Sequence, residues 1–216
     1  MNPTGIVFTA AEMREVADFV IRHDLLLLAD EAYDHLVYDG RPMISAGEFA
    51  ELADRLIVIN TCSKTFAMTG WRVGYAAARN GLIRAPAIIH RTATDFVNTI
   101  SQRAALAAFT TRTNWQAEML GAYAARREQM CGMVNAIPGL NCAKPEGAFY
   151  VFVRVSAKLT SEALTEHCLK HGVAVRSGTE FGPGGEGYIR LTFAGAPAHF
   201  ERGLERLNRA MRALEP

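Results

Sequence analysis

The 216-residue chain has no long apolar run, no surplus of either charge and no closely spaced cysteine pair, and lysine is scarce. Each shortage excludes something. The longest purely apolar stretches, around Leu25 to Ala29 and Tyr150 to Val153, fall far short of the ~20 residues that cross a bilayer, so no transmembrane helix is expected. With 23 basic side chains against 22 acidic ones, the formal charge is +1, and the basic stripe that marks a nucleic-acid binder is missing. Neither a membrane nor a nucleic acid is an expected partner. Cys62, Cys131, Cys142 and Cys168 form no C-x-x-C pair. That points away from a zinc ribbon or a disulfide framework and makes a reducing, cytoplasmic location the default. Met1-Asn2-Pro3-Thr4-Gly5 has neither the basic nor the apolar region of a secretory signal and reads as a turn. What remains, 50% hydrophobic and 21% charged, is a globular chain able to bury one sizeable core or two modest ones.

The pattern alternates helix and strand. Thr9-Ala10-Ala11-Glu12 is a capping box, and Met13, Val16, Ala17 and Val20 continue it as a helix over about Ala10 to His23. Leu25 to Ala29 reads as a buried strand and Leu56 to Asn60 as a second. A polar segment, Thr61 to Thr65, follows, and then another short apolar run, Val73 to Ala78. Helices alternating with apolar strands imply a parallel sheet. One long helix is expected from Asn114 to Ala136, ended by Pro138-Gly139. Beyond it come a strand over Ala148 to Val155, a helix capped by Ser161 and stopped at Gly172, and a strand over Tyr188 to Phe193. A last helix carries Phe200, Leu204, Leu207, Met211 and Leu214 on one stripe. The expected division is 1–112 for part of a parallel α/β domain and 113–216 for a smaller α+β domain joined by the long helix.

Three polar clusters stand at or just past apolar strands, where an open α/β sheet binds its ligands. Asp30-Glu31-Ala32-Tyr33 follows the first strand and Thr61-Cys62-Ser63-Lys64 the second, with Arg72 eight residues beyond the lysine. The chain has four lysines against nineteen arginines, and Lys64 is the only one before Lys144. Framed by hydroxyls after a strand, it suits nucleophilic amine chemistry, although a half-buried lysine can equally serve an ion pair. Asp30 could be a helix N-cap, with Tyr33 on the same face if a helix starts there, and Arg72 could pair with a surface acid. Arg190 lies within Tyr188-Ile189-Arg190-Leu191-Thr192-Phe193, where a guanidinium needs an anion, and a bound carboxylate would answer that need.

Five segments then converge. Asn2-Pro3-Thr4-Gly5, Asp30-Glu31-Ala32-Tyr33, Ser63-Lys64-Thr65-Phe66-Ala67-Met68-Thr69-Gly70-Trp71-Arg72-Val73-Gly74, Pro145-Glu146-Gly147-Ala148-Phe149-Tyr150 and Arg190-Leu191-Thr192-Phe193-Ala194 resemble, in order, the class I/II aminotransferases. These are fold-type I enzymes dependent on pyridoxal 5'-phosphate. The resemblance implies an α/β fold: the C-terminal part of a mostly parallel three-layer α/β/α cofactor-binding domain, plus a small C-terminal α+β domain. It further implies that Lys64 forms the Schiff base with the cofactor and then shuttles the substrate proton. Asp30 would hold the pyridinium nitrogen, and Asn2 and Tyr33 the ring oxygen. Arg72, Thr61 and, more weakly, Ser63 would hold the phosphate, and Arg190 the substrate carboxylate. The implied partners are an α-amino acid, a 2-oxo acid and a second copy of the chain in a homodimer.

The resemblance has departures. Thr61 stands where the family usually has Ser or Gly, and Ser177 where many members have proline. Family members also begin well before the Asn-Pro-Thr-Gly motif, so the resemblance implies that roughly the first half is absent. With it would go a glycine-containing phosphate loop, the ring stacked on the cofactor and several central strands. Poor competence of the isolated chain and an open sheet edge prone to pairing are the expectations. Other reactions of the same fold type, such as C–S β-elimination or decarboxylation, use the same lysine. Two alternatives of another class stay open: a nucleotide triphosphatase fragment, whose G-x-x-x-x-G-K-[ST] does not occur here and would have to lie in the upstream half, and a non-catalytic scaffold, against which the presence of Lys64, Asp30, Tyr33 and Arg72 together argues. Gly182-Pro183-Gly184-Gly185-Glu186-Gly187 matches G-x-G-x-x-G but precedes a strand, and so reads as a flexible turn. His167 and His171, one helical turn apart around Cys168, read as a solvated helix face rather than a metal site.

Overall fold

The computed structural model describes residues 1–111 and 113–214. The chain divides into one compact unit over Val7–Glu118 and another made of Met1–Ile6 with Met119–Pro216. Arg112, at the boundary expected from sequence, lies outside the described residues, as do Glu215 and Pro216.

The first unit opens with α1 (Ala10–Arg22), whose capping box is formed in full between Thr9 and Glu12. β1 (Leu27–Asp30) runs parallel to β2 (Leu56–Thr61) in the register Leu27↔Leu56 to Asp30↔Ile59. After β2 come a single helical turn, α2 (Cys62–Thr65), then β3 (Gly74–Ala78), α3 (Asn80–Thr94) and α4 (Thr99–Thr110). The parallel expectation holds for β1 and β2, whereas β3 returns antiparallel, pairing Thr61 with Gly74 and Ile57 with Ala78. The connection is in keeping with this: its twelve residues hold one turn of α-helix and one 3-10 turn, Thr69–Trp71, and no helix long enough to form the usual crossover to a parallel neighbour.

The α1 face buries Met13, Ala17 and Val20 against Leu52 and Leu56, with Leu27, Ala29 and Val58 packed alongside. The apolar run is not buried throughout, for Leu28 in β1 is 61% exposed and Leu26, just before the strand, 59%. In a strand successive side chains point to opposite faces, so an apolar run marks two apolar faces without showing that both are covered. A second cluster joins Cys62 and Met68 to Ala105 of α4, with Phe66 and Val73 packed against it.

α5 (Trp115–Asn135) leads into the second unit, where β4 (Leu140–Cys142), β5 (Tyr150–Val155), β6 (Arg176–Ser177) and β7 (Tyr188–Thr192) form an antiparallel sheet of order β4-β5-β7-β6. α6 (Ser161–Lys170) and α7 (Pro197–Arg212) complete it. Thr160, not Ser161, caps α6, accepting from the Ala163 N–H at 3.2 Å. Ser161 is buried and turned instead to Glu186, which accepts from its backbone N–H at 2.9 Å. Ser177 caps the 3-10 turn Gly178–Phe181 in a reciprocal box with Glu180. The Ser177 N–H donates to Glu180 at 3.2 Å, a bond a proline could not make.

Cys131 and Cys142, distant in sequence, meet where α5 packs on β4. Their thiols hydrogen bond, and that bond together with burial pushes the Cys131 thiol up. Four of the five stripe residues pack as predicted, Phe200, Leu204, Leu207 and Met211 all being buried, whereas Leu214 lies past the end of α7 and is half-buried. Leu207 is fully buried, so Leu207→Ala is expected to cost about 2–5 kcal/mol in urea unfolding.

The glycine-rich segment is no loose turn. Gly185 packs on Gly178 so closely that a Cβ on Gly185 would sit 1.9 Å from the Gly178 carbonyl oxygen. Gly185→Ala is therefore expected to destabilise this unit by several kcal/mol, read as a lowered unfolding temperature, because backbone rather than a flexible side chain must yield. The two helix histidines are half-buried rather than solvated. The His167 Nε2 lies 2.9 Å from the Ala210 carbonyl oxygen and the His171 Nδ1 2.9 Å from the His167 carbonyl oxygen.

Candidate active site

In the first unit, β1 and β2 end on the same side of the sheet because they run parallel and in register. Asp30 and Thr61 leave the sheet at those ends. Asp30 is exposed, and one of its carboxylate oxygens accepts from the Ala32 N–H at 3.1 Å, starting a turn rather than a helix. The loop is tied to β2 by the Glu31 N–H donating to the Ile59 carbonyl at 2.9 Å. Tyr33 is half-buried in that turn. Glu31 is taken up structurally, accepting from the Ser45 hydroxyl and, at 2.9 Å, from the Ala46 N–H.

The turn that carries Lys64 is built by Thr61. Its Oγ1 accepts from the Ser63 N–H at 3.1 Å and donates to the Val73 carbonyl at 3.1 Å. The hydroxyl proton of Thr61 is thereby committed, which leaves a phosphate only what a rotated hydroxyl could offer. Ser63 and Thr65 are buried, while Lys64 between them is half-buried. Cys62, fully buried beneath the turn, has its thiol pushed up by desolvation. Phe66 packs edge-on to Phe109 at 4.8 Å, which fixes the C-terminal side of the turn to α4.

Arg72 is exposed and donates from Nη1 to the Thr69 carbonyl at 3.0 Å. It borders a cavity of about 520 Å³ lined also by Gly70, His90, Asn98 and Ser101. On β3 the Tyr75 phenol, itself partly exposed, is pushed up by partial desolvation and then by the negative charges of Asp34 and Glu31.

Asn2 and Arg190 belong to the second unit and are brought together there, although 188 positions apart. The Gly5 carbonyl accepts from the Glu146 and Gly147 N–H groups at 2.9 and 2.8 Å, docking the N-terminal segment on the Pro145-Glu146-Gly147 motif. Gly5 has φ +73°, and a Cβ there would lie 2.2 Å from the Pro145 Cβ, so the docking requires glycine. The Arg190 guanidinium donates to Asn2 Oδ1 at 2.8 Å. It lies 4.2 Å from the Tyr150 ring centre and 4.8 Å from that of Phe181. An amide oxygen and two aromatic faces thus occupy it where the sequence suggested an anion, and its remaining donors stay available to one.

Among the described residues six non-glycines have positive φ. Three are aspartates, which tolerate that region. The others, Ala67, Arg72 and Ala148, all stand within the segments singled out from sequence. Each costs roughly 1–2 kcal/mol, and such outliers gather at ligand sites. Two contributors were missed in the sequence. Asp34 accepts from the Asn60 amide at 2.7 Å and the Thr65 hydroxyl at 3.1 Å, and Phe181 flanks Arg190. Only the position of Asp34 beside Tyr33 could have hinted at the first.

The donor set suits a phosphorylated aromatic aldehyde: an amine on a fixed turn, a carboxylate at the neighbouring strand end, and an arginine beside an open cavity. Among the described residues no group of three or more metal-ligating side chains occurs, and no helix is long and apolar enough to cross a membrane. The chain matches the family described as "Aminotransferase class I and II" over residues 1–207. It is 37% identical to aromatic-amino-acid aminotransferase 2 of Thermococcus litoralis, over 98% of this chain and 55% of that protein. It is likewise 37% identical to an aspartate aminotransferase of Pyrococcus abyssi, over 98% of this chain and 55% of that protein. An aromatic aminotransferase structure from Pyrococcus horikoshii superposes with a TM-score of 0.91 at 39% identity, covering 98% of this chain and 58% of that one. The chain therefore spans about half the length of the curated relatives it matches.

Proposed function

Since the chain belongs to the class I and II aminotransferase family, we propose that it forms part of a pyridoxal 5'-phosphate site that moves an amino group from an α-amino acid to a 2-oxo acid. The observation that carries this reading is the set of amine, carboxylate and guanidinium on the loops after β1 and β2. The cofactor, when bound, supplies an electron-accepting ring to a substrate bonded through nitrogen. Everything else is asked of the chain. Lys64 supplies the amine that bonds the cofactor covalently and the base that moves the proton at the substrate Cα. The Asp30 carboxylate accepts from the ring N–H, which keeps that nitrogen protonated. Tyr33 and Asn2 hydrogen bond the ring oxygen. Arg72 holds the phosphate, supported by Thr61 and Ser63, and Arg190 takes the substrate carboxylate with the donors that Asn2 leaves unused.

Four free, buried thiols support a reducing compartment such as the cytoplasm. The exposed apolar side chains Ile88, Ile89, Phe96 and Ile100 support a surface covered by further protein, in keeping with a homodimer. The test is a single turnover of the protein carrying this chain, loaded with pyridoxal phosphate and given amino acids one at a time. Pyridoxamine phosphate and the matching 2-oxo acid, formed one for one by mass spectrometry, are expected. Carbon dioxide or an eliminated thiol in their place would assign the site to decarboxylation or β-elimination.

A further inference from the structure

We infer that Asp34 is the positioning residue that locks the Lys64 turn to the loop bearing Asp30 and Tyr33. The inference deepens the cofactor reading above and rests on it. The Asp34 carboxylate takes hydrogen bonds from two elements: Asn60 Nδ2 at the end of β2, at 2.7 Å, and Thr65 Oγ1 in α2, at 3.1 Å. Thr65 follows Lys64 directly and Tyr33 precedes Asp34 directly, so one side chain joins the two loops through the neighbours of their chemical residues.

The connection continues beyond Asn60. Its Oδ1 accepts from the Thr61 N–H at 2.7 Å, and the Thr61 hydroxyl in turn binds the Ser63 N–H and the Val73 carbonyl, next to Arg72. A continuous run of bonds thus passes from the Asp34 carboxylate through both sides of the Lys64 turn. Asn60 and Thr65 are each 5% exposed, so neither finds water readily if Asp34 is removed. The group must also be a carboxylate. Two donors converge on it, its own oxygens also receive the His35 N–H at 2.7 Å, and His35 Nε2 lies 3.7 Å away. An amide at this position would turn an NH2 toward one of the donors. Asp34 itself touches neither cofactor nor substrate in this account; it acts through Thr65 and Asn60.

The experiment is run on the protein carrying this chain and compares it unaltered with its Asp34→Ala, Thr65→Val and Thr65→Ser variants. Amide hydrogen exchange over residues 62–66 is followed without cofactor, and labelling of Lys64 by pyridoxal phosphate and borohydride is followed by peptide mapping. In Asp34→Ala and Thr65→Val, exchange is expected to rise and labelling to fall, each about tenfold, with Thr65→Ser restoring both. Leu207→Ala, destabilising from the other unit, controls for general loosening and is expected to leave both readouts unchanged. Unchanged exchange and labelling in Asp34→Ala would overturn the inference, as would equal loss in Thr65→Ser. Exchange needs no cofactor and so fails only if the lock is wrong. Absence of Lys64 labelling in the unaltered protein, with exchange still raised in Asp34→Ala, fails the cofactor reading and leaves the lock standing.

Discussion

Lys64→Ala is expected to eliminate borohydride-fixed attachment of pyridoxal phosphate and to lower amino transfer by at least about 10²–10⁴-fold, since one amine serves as both covalent anchor and proton carrier. Folding should change little. Thr61, Cys62 and Thr65, which build and bury the turn, remain in place, and Lys64 is itself only half-buried. The scarcity of lysine sharpens the experiment. Besides the N-terminal amine, only Lys144, Lys158 and Lys170 could be labelled in its stead, and all of these lie in the second unit. Undiminished labelling of the Lys64→Ala chain would remove the basis for the assigned chemistry.

Arg190→Ala is expected to weaken use of the amino acid by about 2 kcal/mol or more, roughly 30-fold in affinity, while cofactor affinity changes little. The guanidinium is held by Asn2 Oδ1 and between the Tyr150 and Phe181 rings, so its unused donors are presented in a fixed fork. Arg190→Lys keeps the charge and loses the fork, and should fall between the two. The ring contacts contribute about 0.5–1 kcal/mol each at exposed positions, so the unfolding temperature should fall only slightly. Separate titrations with cofactor and with amino acid check the split. Equal losses in the two would contradict a role in gripping the carboxylate.

Local chemistry was the legible part of the fold. The Thr9–Glu12 box formed as the four residues dictate, and the last helix buried most of the stripe its spacing prescribed. What depends on distant partners was not legible. An apolar strand does not say which of its faces will be covered, and Leu28 stays exposed while Leu27 packs on the α1 cluster. The direction of β3 goes with the twelve residues before it, which hold two short turns and no crossover helix, and the apparent alternation of elements concealed this. Ser161 looked like a cap because it begins a helix. The hydroxyl one residue earlier took that place, and Glu186, remote in sequence, took Ser161.

The candidate site divides in the same way. Lys64, Asp30 and Arg72 stand in motifs whose order is visible along the chain. The contact between Asn2 and Arg190 spans almost the whole length, and no spacing rule could have shown it. Asp34 was hidden for another reason. A carboxylate beside a tyrosine on a loop reads as a solvated residue until the donors of Asn60 and Thr65 are seen to converge on it.

The most direct measurement is to titrate the protein carrying this chain with pyridoxal phosphate, reduce with borohydride and map the modified lysine. Stoichiometric modification of Lys64, with an absorbance band that shifts when amino acids are added, is the predicted result. Modification scattered over Lys144, Lys158 and Lys170, with Lys64 spared, would contradict the claim that this turn carries the cofactor.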